Sequence, residues 1–218
     1  MGLLQVATTV LVLGNAALGN PVPQGGTGSA AAKYCDPATT ICYSEYTSPE
    51  GISYRIAIPD TATAGSFDIL VQIVAPRTVG WAGIAWGGVM VNNPLLVGWA
   101  NGETTVASSR RASARTYPTP YTGATYTVLP GSTANSTHWT LNVLAKGVSS
   151  WGNTNLDPSS TAVPFAYAQS AAPPTEPANN ASRFSIHNTR GKWSHDLSNA
   201  KLANFTELVQ RASEAPES

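Results

Sequence analysis

From Ile41 onward the chain is a succession of short apolar, β-branched and aromatic runs. ICYSEYT, ISYRIAI, FDILVQIVA, WAGIAWG, LLVGWA, TTVAS, ATYTVL, THWTLNVLA and VPFAYAQ follow one another at fairly regular intervals. Turn formers separate them: Ser48-Pro49-Glu50-Gly51, Ala64-Gly65-Ser66, Asn101-Gly102 and Pro130-Gly131-Ser132. Many short strands punctuated in this way predict an all-β protein, an antiparallel β-sandwich. Within THWTLNVL the alternation places Trp139, Leu141 and Val143 on one face and His138, Thr140 and Asn142 on the other.

The last part of the chain has a different rhythm. DLSNAKLANFTELVQRA lacks Gly and Pro and spaces Leu197, Ala200 and Leu208 for one face of a helix. A short C-terminal helix from Asp196, capped by Asp196 or Ser198, is therefore expected, with His195 at its mouth in a capping or surface role. Residues 212–218 read as a frayed tail.

The N-terminus reads as a signal peptide over residues 1–19, with an apolar stretch from Leu3 to Leu13 and small residues Ala17 and Gly19 before the expected cleavage. That stretch is too short to span a bilayer. NPVPQGGTGSAAAK, residues 20–33, is rich in Gly, Pro and small residues and reads as a disordered lead-in. The folded domain is expected over residues 34–211.

Three Asn-x-Ser/Thr sequons, at Asn135, Asn180 and Asn204, agree with export through an oxidising compartment. The two cysteines, Cys35 and Cys42, then form a structural disulfide. It closes a loop worth roughly 2.5 kcal/mol in the chain-entropy picture. Twelve basic and twelve acidic residues cancel, and only 11% of the chain is charged. No basic run exceeds Arg110-Arg111, so the footprint of a nucleic-acid binder is missing. There is likewise no polybasic or amphipathic membrane anchor.

Hydrolytic and nucleotide chemistry have no visible seat: G-x-S-x-G, H-E-x-x-H, G-x-G-x-x-G and phosphate-loop patterns are all absent. Soft and nitrogenous ligands remain. Apart from the initiator, Met90 is the only methionine, directly after Gly87-Gly88 in WAGIAWGGVMVNNPLL. Two glycines at a strand end let the backbone bend or a flat group approach. The thioether there reads either as a gap-filler in the core or as a soft axial ligand. His138 reads as a surface residue. His187 sits in RFSIHNTRG, an aromatic-led segment ending in a turn.

WAGIAWGGVMVNNPLLVGWANG, PTPYTGATYTVLPGSTANSTHWTL and SRFSIHNTRG, in this order, resemble the cytochrome domain of fungal cellobiose dehydrogenases. The similarity runs from about Tyr43 to Val209. It implies an immunoglobulin-like β-sandwich that holds one haem b, with Met90 and His187 as axial ligands to iron. No C-x-x-C-H motif for covalent haem attachment is present. Trp86, Gly87, Gly88 and Phe184 are candidates for the haem wall. Arg115 and Tyr117, in a cluster with Arg110, Arg111 and Tyr121, are candidates for the propionates.

With both axial positions filled by protein, such a centre carries single electrons and has no substrate site of its own. The expected function is a secreted, monomeric b-type cytochrome. It would take electrons from a flavin dehydrogenase and pass them to ferric iron or to a copper-dependent lytic polysaccharide monooxygenase. Ferric reductase activity would follow from such a haem. No flavin-binding G-x-G-x-x-G follows, so sugar oxidation is not carried over, and the chain reads as a free-standing cytochrome or as one part of a longer protein. Two other readings are a haem-free carbohydrate-binding sandwich, with some of the six tryptophans as stacking platforms, and a purely structural secreted domain.

Overall fold

The computed structural model describes residues 32–214. The expected signal peptide, most of the lead-in and the last four residues lie outside them. Sixteen strands are present: β1 (Ala32–Cys35), β2 (Cys42–Thr47), β3 (Ser53–Pro59), β4 (Ile69–Pro76), β5 (Trp81–Trp86), β6 (Pro94–Asn101), β7 (Thr104–Arg111) and β8 (Thr119–Pro120). They continue with β9 (Thr125–Val128), β10 (Thr133–Ala134), β11 (His138–Lys146), β12 (Ser150–Trp151), β13 (Thr154–Asn155), β14 (Val163–Ser170), β15 (Thr189–His195) and β16 (Lys201–Leu202). One helix, α1 (Phe205–Glu214), closes the described chain.

Two antiparallel sheets face each other. The first runs β1-β2-β3-β4-β11-β10, with β9 also on β11 and β16 parallel to β3. The second runs β15-β14-β5-β6-β7-β8. The architecture is the expected antiparallel β-sandwich with one short C-terminal helix.

Period-2 alternation explains the core. Ile69, Val71, Ile73 and Ala75 of β4 meet Trp139, Leu141 and Val143 of β11 and Ala82, Ile84 and Trp86 of β5 in one buried cluster between the sheets. The opposite faces are not left to water. Ala57, Leu70 and Leu144 on the outside of the first sheet are covered by Phe205 and Leu208 of α1. Trp81, Val97 and Trp99 on the outside of the second sheet are packed against Phe184. This double coverage is why ILVQIVAP reads as nearly continuous apolar sequence.

At the N-terminal edge, Cys35 and Cys42 are directly opposed in the β1–β2 register and are joined by a disulfide. β1 begins at Ala32, inside the stretch expected to be lead-in.

The C-terminal segment departs from its expected form. The helix starts at Phe205, not Asp196, and continues past Arg211 to Glu214. Asp196 instead accepts hydrogen bonds from Ser198 Oγ and the Asn199 amide. It closes a single 3-10 turn over Ser198–Ala200. Leu197 and Ala200 are buried in the inter-sheet core by that turn, after which β16 pairs with β3. An apolar spacing read as one helical face thus belongs to a turn, a strand and a shorter helix in succession. TRGKWSH, where Gly191 reads as a turn signal, is the edge strand β15. It carries His195 into the core, fully buried, so the expected capping or surface role is corrected.

Candidate functional site

A cavity of about 1090 Å³ opens on the outer face of the second sheet. Its floor follows from strand register. Across one row, Lys192, Ala166, Ala85 and Leu95 are neighbours on β15, β14, β5 and β6. In the next row on the same face, Arg190, Ala168, Gly83 and Val97 are neighbours in the same order. All eight line the cavity. The middle of the floor is therefore paved with Gly and Ala, with aliphatic side chains on one flank and cations on the edge strand. Such a floor lets a broad, flat, apolar group lie close to the backbone. A Cβ on Gly83 would come 2.6 Å from the Leu96 carbonyl oxygen, so that position must stay bare.

One wall is the turn after β5. Gly87 and Gly88 both have φ near +81°, which only glycine adopts without strain. The reversal brings Met90 to the cavity. Two anchors hold it: Asn93 Nδ2 donates to the Val89 carbonyl at 2.9 Å, and the Asn92 amide donates to the Ala112 carbonyl at 2.7 Å. Asn93 is itself fixed by Trp151, whose Nε1 donates to its Oδ1 at 2.9 Å.

The facing wall is a strap, residues 171–188, that joins β14 to β15 and delivers Phe184, Ile186 and His187. The second sheet grips this strap through buried donors. Arg110, 1% exposed, donates to the Asn180 and Ser182 carbonyls at 3.0 and 2.7 Å. Trp99 Nε1 donates to the Pro177 carbonyl at 2.7 Å, and Trp81 Nε1 to Ser185 Oγ at 3.2 Å. Burial lowers the Arg110 pKa, while the neighbouring Tyr117 works against that shift. Tyr117 Oη accepts from the Phe184 amide at 3.1 Å, tying the 115–118 loop to the strap.

Met90, His187, Gly88, Phe184, Arg115 and Tyr117 all line this one cavity. Trp86 and Gly87 do not. Strand alternation turns Trp86 inward, where its Nε1 donates to Tyr126 Oη at 2.9 Å and its ring meets Phe165 edge-on. A Cβ on Gly87 would face Trp151 and Asn93. Arg110 is spent on the strap, and Arg111 lies over Tyr121 away from the cavity lining. The floor residues Gly83, Ala85, Ala166 and Ala168 escaped sequence reading. Their signal is small residues two apart in each of two strands, WAGIAWG and PFAYAQ.

His138 is exposed, as its strand face predicts. His195 accepts at Nδ1 from Trp193 Nε1 at 3.0 Å, and its buried Nε2 has no partner. Burial pushes its pKa down to about 4, only partly offset by Asp196. It lies outside the cavity lining. All six tryptophans are buried, Trp151 being the most exposed at 8%, so none presents a face on which a sugar could stack.

The chemistry of the lining suits haem. A thioether and an imidazole come from opposite walls, the floor is flat and apolar, and Arg115 and Tyr117 offer donors near the mouth. No carboxylate lines the cavity among the described residues.

Residues 34–207 match the family described as the cytochrome domain of cellobiose dehydrogenase, and the chain belongs to that family. Over 188 residues it is 28% identical to a pyrroloquinoline quinone-dependent pyranose dehydrogenase of Coprinopsis cinerea, a match covering 84% of this chain and 26% of the dehydrogenase. The chain thus spans about a quarter of the length of the curated relatives it matches.

Among solved structures it is similar to the cytochrome b domain of pyranose dehydrogenase from Coprinopsis cinerea. There the TM-score is 0.76 at 25% identity, covering 84% of this chain and 96% of that one. The cytochrome domain of Myriococcum thermophilum cellobiose dehydrogenase shares the fold, with a TM-score of 0.74 at 23% identity over 84% of this chain and 97% of that one.

Proposed function

We propose that this protein is a secreted b-type cytochrome that carries single electrons through a haem held between Met90 and His187. The observation that carries the reading is the convergence of these two side chains, 97 positions apart (187 − 90), on one cavity with a flat apolar floor. Haem bound there supplies a one-electron ferric/ferrous couple.

The chain's own residues do the rest. The Met90 thioether is a soft donor that favours the ferrous state. His187 supplies a nitrogen donor from a strap fixed by buried hydrogen bonds. Gly83, Ala85, Ala166 and Ala168 keep the floor clear, and Leu95, Val97 and Phe184 keep it apolar. Arg115 and Tyr117 serve the propionates. With the Met90 thioether and the His187 imidazole both holding the iron, the site would leave no coordination position for a substrate.

The relatives' names, a quinone-dependent pyranose dehydrogenase and a cellobiose dehydrogenase, support a sugar-oxidising dehydrogenase as electron source, and a flavin enzyme is the one proposed. Ferric iron or a copper polysaccharide monooxygenase is the proposed acceptor. The signal peptide expected from the sequence, the Cys35–Cys42 disulfide and the exposed sequon residues Asn135, Asn180 and Asn204 support export and glycosylation.

An absorption spectrum before and after dithionite tests the reading. A Soret band that shifts on reduction, with sharp α and β bands, is expected from the protein as secreted. Met90→Ala or His187→Ala should each abolish the low-spin spectrum while the fold persists. A protein that stays colourless after haem is added, or normal spectra in both variants, would overturn it.

A further inference from the structure

The chain is neutral overall, but its charge is sharply segregated. Segments 81–120 and 163–195, which build the second sheet and its cavity, carry six cations: Arg110, Arg111, Arg115, Arg183, Arg190 and Lys192. Against these stand two carboxylates, Glu103 and Glu176, a net of +4 that leaves −4 for the remainder. Three of the cations line the cavity, and Arg183 lies over the Tyr117 ring at its mouth.

Beside the cavity, Ile186 is the most exposed of the large apolar side chains among the described residues, at 86%, and adjoins His187 in the chain. Val89 and Tyr117, also partly exposed, line the cavity and belong to the haem site. An apolar centre ringed by charge of one sign has the anatomy of a protein–protein interface. A small anion would need the cations and would gain nothing from an exposed isoleucine.

We propose that the cavity face is the docking surface for an acidic redox protein, with Ile186 at the centre of the contact and Arg183, Arg190 and Lys192 on its rim. The inference rests on the electron-transfer reading above. It adds the partner's chemistry: a protein with a carboxylate-rich patch around its own redox centre. The opposed charges of the two halves would orient the molecule during approach, so that encounter presents the His187 side first. Arg110 is buried against the strap and Arg111 lies away from the cavity, so Arg115, Arg183, Arg190 and Lys192 are the cations at this face, and the two propionates of a bound haem would halve their charge without reversing it.

The test uses the haem-loaded protein, reduced with dithionite and freed of excess reductant, with the oxidised forms of two redox proteins of opposite surface charge, acidic plastocyanin and basic cytochrome c. Binding is followed by calorimetry and electron transfer by stopped-flow absorbance. Plastocyanin should bind and be reduced faster, with affinity falling roughly tenfold or more between about 20 and about 200 mM salt. Arg183→Glu combined with Arg190→Glu should reverse the preference, and Ile186→Ser should weaken binding with little change in salt dependence.

A normal haem spectrum with equal, salt-independent response to both probes would overturn the docking surface and leave the haem reading intact. Absence of any haem spectrum in the unmodified protein would overturn the haem reading and this inference together. The salt series on the unmodified protein decides the matter even if a variant misfolds.

Discussion

At the scale of single residues, Met90 and His195 illustrate opposite uses of a side chain that sequence marks as unusual. Met90 is half-buried, on a turn that glycine conformations force towards the cavity. In the haem reading its thioether raises the reduction potential relative to two histidines. Met90→His should therefore lower the midpoint potential, within the range of about 0.8 V open to haem proteins. Spectroelectrochemical titration checks this, and an unchanged potential would remove Met90 from the iron.

His195 has no part in the cavity, yet it leaves a signature in stability. Its folded pKa of about 4 lies below the ordinary value of 6.5, because burial opposes the charged form. Above pH 6.5 neither state is protonated and there is no penalty. As pH falls from 6.5 to 4 the unfolded chain takes up a proton that the folded chain refuses. Stability should then drop by about 3 kcal/mol and level off below pH 4. Denaturant melts across that range should show the step. His195→Gln, which keeps an acceptor within reach of Trp193, should flatten it.

At the scale of elements, the strap decides whether the site exists. It has no strand of its own between β14 and β15, so its course depends on donors from the second sheet. Arg110 is the principal one, and its cost of burial is met by the carbonyls it satisfies. Arg110→Met should destabilise the fold by roughly 2–4 kcal/mol, because the Ser182 carbonyl loses its best partner. The same variant should release haem more readily, through a strap that no longer holds His187 in place. Thermal melts read the first effect, and haem transfer to apomyoglobin reads the second.

The strands themselves were legible: all nine runs named from the sequence are strands, because alternation and turn residues act locally. β15 was not, since Gly191 reads as a turn signal in isolation. In the sheet the Tyr167 ring covers that glycine from the neighbouring strand: a Cβ there would meet it at 2.5 Å. The C-terminal helix was foreseen in kind but begins nine residues late, because Leu197 and Ala200 found burial in a turn.

At the scale of the whole molecule, a ligand that binds only the folded state adds stability by mass action. With haem at about a hundred times its dissociation constant the gain is roughly 2.7 kcal/mol. For a chain of this size that raises the melting temperature by about 5–11 °C. Scanning calorimetry of the haem-loaded and haem-stripped protein should show the difference, and its absence would mean that the cavity holds no tight ligand.

Sequence by itself determined nine of the strands, the disulfide partners and the sandwich class, since each rests on neighbours along the chain or on scarce residue types; Met90 and His187 became ligand candidates only through the family resemblance. Only the tertiary structure decided which face of β5 looks into the core and which into the cavity. Both faces of that sheet are covered, so period-2 alternation separates Trp86 from Ala85 but cannot say which of them meets a ligand. It also decided that Arg110 serves the strap, that His195 is buried, and that a neutral chain gathers four of its twelve cations around one opening. Each of these depends on segments far apart in sequence being packed together, and no local pattern carries that information.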